Sequence, residues 1–265
     1  MKINRRSLLR SGLGAVAWSL GGSTALAATT KPVDSWLLRR NEDRGEHVNS
    51  WLNTRYTFSF SRYRDPMWNR FRALRVMNED FVGAGGGFPT HPHRDQEIIT
   101  YVLSGALDHE DTLGNRGRVQ PGLVQHMSAG TGIQHSEFNR AKTDCHLLQI
   151  WLTPDRPGHT PGYTQALFSE GERKEDWRLL ASPSGGDGSI QINQDCRLYA
   201  AILGKGQHLE FDNFSGRASW LQVAKGSVVV NGQRLIAGDG VATEQAGNVT
   251  LSADADCELL RFDLA

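Results

Sequence analysis

The chain has 265 residues, with 29 Lys and Arg against 29 Asp and Glu, so its formal charge is zero. That balance offers no strongly basic stripe and speaks against nucleic acid as a partner. Hydrophobic residues make up 38%, and with 29 glycines the composition is that of an ordinary globular protein, not of a disordered chain or a polytopic membrane protein. The length suffices for one large or two modest domains. Cys145, Cys196 and Cys257 cannot build a disulfide framework, and no Cys-x-x-Cys pair invites thiol redox chemistry. They read as small buried side chains.

Residues 1–27 read as a targeting segment. Lys2, Arg5, Arg6 and Arg10 stand in a start region without acid, and the uncharged run Ser11 to Thr30 follows. Gly12, Gly14, Gly21 and Gly22 make that run a poor membrane span. It contains Ala25-Leu26-Ala27, a small-x-small cleavage site. Asn4-Arg5-Arg6-Ser7-Leu8-Leu9-Arg10 resembles the twin-arginine type of signal, whose cargo crosses the membrane folded. The expectation is a periplasmic mature protein with no stable membrane insertion after cleavage. Loss of the four cations leaves 25 basic and 29 acidic residues, a net charge of −4.

From Trp51 onward, short apolar runs alternate with Gly, Pro, Asn and Asp at the spacing of an all-β sandwich or barrel. Ile98–Leu103, Leu147–Leu152, Leu198–Leu203, Trp220–Val223 and Leu259–Phe262 are such runs. Pro154, Pro157 and Pro161 open a polar stretch, which places a boundary between a domain of residues 28–155 and one of residues 156–265. Cys145-His146-Leu147-Leu148-Gln149-Ile150-Trp151-Leu152 reads like Cys257-Glu258-Leu259-Leu260-Arg261-Phe262-Asp263-Leu264. Leu103-Ser104-Gly105, followed by Pro121-Gly122, has its counterpart in Ala224-Lys225-Gly226, followed by Ala237-Gly238. Two copies of one β unit explain this economically.

Seven of the nine histidines lie between His91 and His159, so only the first unit can build a histidine metal site. Side chains two apart on a strand share a face, so His91 with His93, and His135 with Glu137, can each point to one interior. Three imidazoles and a carboxylate with open positions suit Fe(II), Mn, Co, Ni, Cu or Zn. The spacing Gly85-x5-His91-x-His93-x3-Glu97-x7-Gly105 is similar to the first cupin motif, and Gly132-x2-His135-x3-Asn139 to the end of the second.

His91-Pro92-His93-Arg94, Thr100-Tyr101-Val102-Leu103-Ser104-Gly105 and Met127 through Glu137 resemble the pirin family more narrowly, as do Arg75 through Asp80 and Gln149-Ile150-Trp151-Leu152. Glu97-Ile98-Ile99-Thr100-Tyr101 looks most like the bacterial branch associated with quercetinase activity. The resemblance implies a bicupin: an N-terminal metal-binding cupin and a degenerate C-terminal one. It places the ligands at His91, His93, His135 and Glu137. It further implies one divalent transition metal, iron foremost, with nickel, cobalt, copper, manganese or zinc as substitutes. A dioxygenase acting on a flavonol-like substrate with O₂ follows, with Glu137 as the catalytic proton acceptor. The alternatives are a metal-dependent redox-sensing protein and another cupin reaction on a small oxygenated substrate. A monomer is expected.

Other polar residues carry weaker expectations. Glu97 shares the parity of His91 and His93 and reads as support for the ligands or a solvated strand end. His126, after Gln125, is a candidate for the pocket rim. His109, with Asp108, Glu110 and Asp111, could form a second cation site, but a polar strand end running into a turn explains it as well and is preferred. Phe58, Phe60, Phe88 and Trp151 could wall a flat substrate but read as core. No G-x-S-x-G elbow, H-E-x-x-H, P-loop or dinucleotide fingerprint is present.

Overall fold

The computed structural model describes residues 36–265; the expected signal segment, residues 1–27, lies outside them. The first half contains β1 (Leu37–Arg39), β2 (Gly45–Val48), β3 (Leu52–Tyr56), β4 (Leu74–Val82), β5 (Gly87–His93), β6 (Glu97–Ser104), β7 (Leu107–Asp111), β8 (Arg116–Val119), β9 (Leu123–Ser128), β10 (Ile133–Phe138), β11 (Cys145–Leu152) and β12 (Gly162–Leu167). After the one-turn helix α1 (Glu170–Arg173) come β13 (Arg178–Ser182), β14 (Ile190–Gln191), β15 (Cys196–Leu203), β16 (His208–Asn213), β17 (Ala218–Lys225) and β18 (Ser227–Val230). The chain ends with β19 (Gln233–Ile236), β20 (Gly240–Thr243), β21 (Gly247–Ala253) and β22 (Cys257–Leu264). The protein is nearly all-β, as the turn spacing predicts.

The strands form two barrels of one design. In the first, β12-β9-β6-β11-β4-β3-β2 make a seven-stranded sheet and β5-β10-β7-β8 a four-stranded one; in the second the orders are β1-β20-β17-β22-β15-β13-β14 and β16-β21-β18-β19. The two match in order, apart from the last edge strand, where β2 pairs antiparallel with β3 but β14 pairs parallel with β13. β11 and β22, the strands whose sequences read alike, both occupy the middle of their seven-stranded sheets.

The boundary expected at 155/156 departs from this pairing at both edges. β12 lies beyond it in sequence yet pairs with β9, from Gly162 opposite Ser128 to Leu167 opposite Leu123. β1 lies at the start of the first unit yet pairs with β20 of the second. Each barrel thus takes its edge strand from the segment preceding the other. Proline clusters mark where a chain leaves a sheet, not which sheet recruits the next strand. An open edge on β9 or β20 would leave backbone groups unpaired, and the exchange covers both.

Long uninterrupted apolar runs mark strands buried on both faces. On β6, Ile99, Tyr101 and Leu103 enter a cluster shared with Leu148, Ile150 and Leu152 of β11 and with Leu198, Trp220, Leu260 and Phe262 of the second barrel. This layer joins the barrels. Trp220 is its largest fully buried side chain, with its ring centroid 5.2 Å from Phe58 and 5.9 Å from Phe71. Polar contacts tie the same junction: Tyr101 donates to Glu258 at 2.5 Å, and Arg173 reaches Glu258 at 2.6 Å. All three cysteines are free and buried, as expected.

The interiors differ. The second barrel is filled by Phe211, Leu221, Val223, Val228, Val230, Leu235, Val249, Leu251 and Leu259. Its β16 and β21, counterparts of β5 and β10, therefore hold apolar residues at the places where the first barrel holds imidazoles. Among the described residues the groupings able to hold a metal lie in the first barrel alone.

Truncating Trp220 removes an indole from the joining layer without touching either interior. Trp220→Ala is expected to cost about 3–5 kcal/mol of unfolding free energy. Denaturant melts would measure it, and a loss below about 1 kcal/mol would show that the layer does not hold the barrels together.

Candidate metal centre

The local sequence explains how β5 and β10 meet. They pair antiparallel with His135 opposite His91 and Ile133 opposite His93, so the alternating side chains of both strands project into one interior. Between Phe88 and His91 the register slips, because Glu137 stands opposite Phe88 and one extra residue is accommodated in β5. Pro89 sits in this bulge, where no ladder N–H is required. At Gly87 an added Cβ would lie 2.4 Å from the Glu137 carbonyl oxygen, so a glycine is needed for the close approach.

One ligand nitrogen from each of His91, His93 and His135 lies within 4.8 Å of the others. The Nε2 atoms of His91 and His135 are 3.1 Å apart. His91 donates through Nδ1 to the Pro89 carbonyl at 2.7 Å, which leaves its Nε2 as a bare lone pair facing the cluster. Burial, reinforced by the neighbouring imidazoles, pushes His93 down to about 4 and His135 down to about 3. Both are therefore neutral donors near pH 7. Metal–nitrogen bonds of about 2.1 Å bring adjacent ligands about 3 Å apart, so the donor set fits a first-row transition ion.

Glu137 stands slightly aside. It forms a second grouping with His135 and His109 instead of joining His91 and His93 within the same radius. Its carboxylate accepts from Gln149 Nε2 at 3.0 Å and from Thr100 Oγ1 at 3.4 Å, and it is buried. The cluster opens on a cavity of about 290 Å³ lined by Phe88 from the four-stranded sheet and by Thr54, Asn78, Asp80, Ile98 and Trp151 from the seven-stranded sheet, with Phe60 beside them. Thr54 Oγ1, Asn78 Oδ1 and Trp151 Nε1 are buried and make no hydrogen bond within 3.5 Å.

Residues 38–152 match the Pirin family and residues 179–264 the family described as the quercetinase C-terminal cupin domain. The quercetin 2,3-dioxygenase of Escherichia coli K12 is 44% identical over 228 residues, which are 86% of this chain and 97% of that protein.

The chain belongs to the pirin family.

A pirin-like protein of Caulobacter vibrioides is 40% identical over 218 residues, covering 82% of this pirin and 94% of the relative. The crystal structure of the bacterial pirin YhhW from Escherichia coli in complex with nickel(II) superposes with a TM-score of 0.82 at 43% identity. It covers 86% of this chain and 98% of that one.

In this pirin the weaker expectations resolve by strand parity. Glu97 does not continue the face of His91 and His93, because Asp95 adopts φ +51° in the turn after β5 and resets the alternation. It is wholly buried, accepting from Ser128 Oγ at 2.6 Å and the Asn193 backbone at 3.0 Å, and it pairs with His126 at 2.8 Å. His126 is thereby drawn away from the pocket. Its neighbour Gln125 faces the interior instead, with Nε2 3.4 Å from His109 Nδ1.

His109 is the residue that sequence reasoning missed. It is buried beside His135, with Nδ1 atoms 3.3 Å apart, and stacks on Tyr163. Leu107-x-His109-x-Asp111 was the available signal: the only apolar side chain of that strand shares their parity, so the odd face points inward. Of the aromatic residues read as core, Phe60, Phe88 and Trp151 line the cavity, and Phe58 belongs to the joining layer.

Burial pushes Asp80 up to about 7, reinforced by the charges of Glu137 and Glu79. A carboxyl raised in the folded state favours folding below its unfolded value of about 4 and loses that advantage as pH rises to about 7. In metal-free protein, Asp80→Asn should therefore melt close to wild type at pH 4 and progressively above it towards pH 8. A difference in melting temperature that does not change with pH would contradict this.

Proposed function

We propose that this pirin is a metal-dependent dioxygenase of the quercetinase type, using O₂ to open a flavonol-like substrate. The observation that carries the reading is the three-imidazole cluster of His91, His93 and His135, with Glu137 next to His135, lining a cavity that also holds Phe60, Phe88 and Trp151. Curated relatives named quercetin 2,3-dioxygenase support it. In this reading His91, His93 and His135 hold one divalent metal, iron foremost, with Glu137 as the fourth ligand. When bound, the ion supplies Lewis acidity that lowers the pKa of a substrate hydroxyl.

The remaining work falls to the chain. Glu137 accepts the hydroxyl proton, and the Gln149 amide and Thr100 hydroxyl hold its carboxylate in place. Phe88 and Trp151 sandwich a planar ring system and keep water from it.

Protein stripped of metal, loaded anaerobically with Fe(II), Ni, Co, Cu, Mn or Zn and given quercetin with O₂, should show metal-dependent oxygen uptake and carbon monoxide release. Glu137→Ala should slow turnover at least about 100-fold. Absence of uptake with every metal, or a Glu137→Ala variant equal to wild type, would overturn the reading. Metal binding without turnover would favour a metal-dependent binding protein.

The twin-arginine signal is also part of this proposal. N-terminal sequencing of native protein from the periplasmic fraction should begin at Ala28. A full-length chain confined to the cytoplasm would refute export.

A further inference from the structure

We infer that Asp111 and His109 form a hydrogen-bonded chain that fixes which nitrogen of His135 faces the metal, so that His109 is a positioning residue for the centre. The inference rests on the proposed reading of His91, His93 and His135 as ligands, and it assigns a role to residues outside that set.

The chain is anchored at Asp111. Its Oδ1 accepts from the backbone N–H groups of Leu113 and Asn115 at 2.9 and 3.0 Å, and its Oδ2 accepts from Asn115 Nδ2 at 3.0 Å. A carboxylate so placed is an acceptor only. His109 Nε2, 3.2 Å from Asp111 Oδ2, must therefore carry the proton of that contact. In the neutral imidazole Nδ1 is then a bare lone pair. The two groups that approach it are Gln125 Nε2 at 3.4 Å and His135 Nδ1 at 3.3 Å, and both can donate. Accepting from His135 fixes the proton on His135 Nδ1. Its Nε2 is left as a lone pair, 3.1 Å from the Nε2 of His91, which the Pro89 carbonyl has bared in the same way.

Two lone pairs then face each other with no proton between them. That arrangement is repulsive alone and favourable around a cation. Direct hydrogen bonding between His91 and His135 would satisfy the same 3.1 Å distance without metal, but it requires one Nε2–H. The Pro89 carbonyl removes that choice for His91, and the chain from Asp111 removes it for His135.

His109 also has the placement of a support and not of a ligand. It is absent from the cavity lining that includes His135 and Glu137, and its ring is packed against Tyr163 with centroids 4.6 Å apart. Tyr163 in turn donates to Gln125 Oε1 at 3.1 Å, which directs the Gln125 amide nitrogen toward His109. The pairing of β7 with β10 sets His109 opposite Glu137 and Asp111 opposite His135, so the support spans the ligand strand at both positions. Partners of this kind orient the imidazole and raise its basicity toward the metal.

Long-range ¹⁵N–¹H spectra of histidine-labelled wild-type protein test the chain without any substitution. His135 should appear as the Nδ1–H form in both metal-free and Zn-loaded protein; an Nε2–H form in the metal-free protein would overturn the inference. His109→Phe keeps a flat ring but no acceptor, and it should weaken Zn or Co(II) binding about 10- to 100-fold with an unchanged far-UV circular dichroism spectrum. Asp111→Asn, should His109→Phe fail to fold, should weaken binding in the same direction. Wild-type affinity in the folded variant overturns the inference and leaves the ligand reading standing. Two equivalents of metal per wild-type chain would make His109 a ligand and overturn it as well. Failure of wild-type protein to bind any metal would remove the ligand reading and the chain together.

Discussion

The layer between the two seven-stranded sheets is the contact that everything else in this pirin leans on. The first barrel encloses Thr54, Asn78, Asp80, Thr100, His109, Gln125, Glu137 and Gln149, and its own apolar cluster of Leu52, Val82, Val102, Leu107, Val119, Cys145 and Leu147 is smaller than the layer between the barrels. Burying such groups costs free energy unless each finds a partner. The compensating burial lies on the outer face of the same sheet, where Ile99, Tyr101, Leu148 and Ile150 pack against residues of the second barrel. At roughly 25 cal/mol per Å² of apolar surface removed from water, a layer built from side chains of this size can offset a polar interior. The second barrel, whose filling is apolar apart from Arg261 stacked on Phe211, then supplies rigidity to a partner that has given part of its filling over to polar groups. Loss of the ligands at β16 and β21 is in this sense what lets the second unit act as scaffold.

Much of this could be read from the chain itself. Turn residues at strand spacing identify an all-β protein, and the likeness of Cys145–Leu152 to Cys257–Leu264 identifies the repeat, because the central strand of a sheet faces the same double burial in both copies. His91 with His93, and His135 with Glu137, are legible because period-two alternation needs no tertiary information. Three things were less accessible. The edge exchange of β1 and β12 is a non-local pairing with no local signature. Glu97 is placed by a parity that the turn at Asp95 interrupts, and His126 reads as pocket rim although its neighbour Gln125 is the one that faces the interior. His109 was masked by acids on both sides, although Leu107 two residues earlier carries the clue.

The polar residues around the centre are ordered by how much freedom they leave their neighbours. Pro89 and Asp111 have no choice of role: one is a carbonyl, the other a carboxylate already engaged by a turn. His91 and His109 inherit their proton positions from these two, and His135 inherits its own from His109. Directionality of this kind costs little at the moment of binding, because the reorganisation has been met during folding. Glu137 is held differently. Its partners Gln149 and Thr100 are neutral and at 3.0–3.4 Å, an arrangement that steadies a carboxylate without committing it to one bond.

β11 connects these two economies. Leu148, Ile150 and Leu152 look toward the joining layer, while Gln149 and Trp151 look into the cavity, where Gln149 supports Glu137 and Trp151 lies edge-on to His93 with centroids 4.8 Å apart. Alternation makes these two sets inseparable. A slip of one residue in β11 would carry Gln149 and Trp151 into an apolar layer and Leu148 and Ile150 into the polar cavity, so packing between the barrels is what enforces the register of the site. The apolar layer therefore does more than stabilise. By penalising every register but one, it decides which side chains the metal centre and its cavity receive.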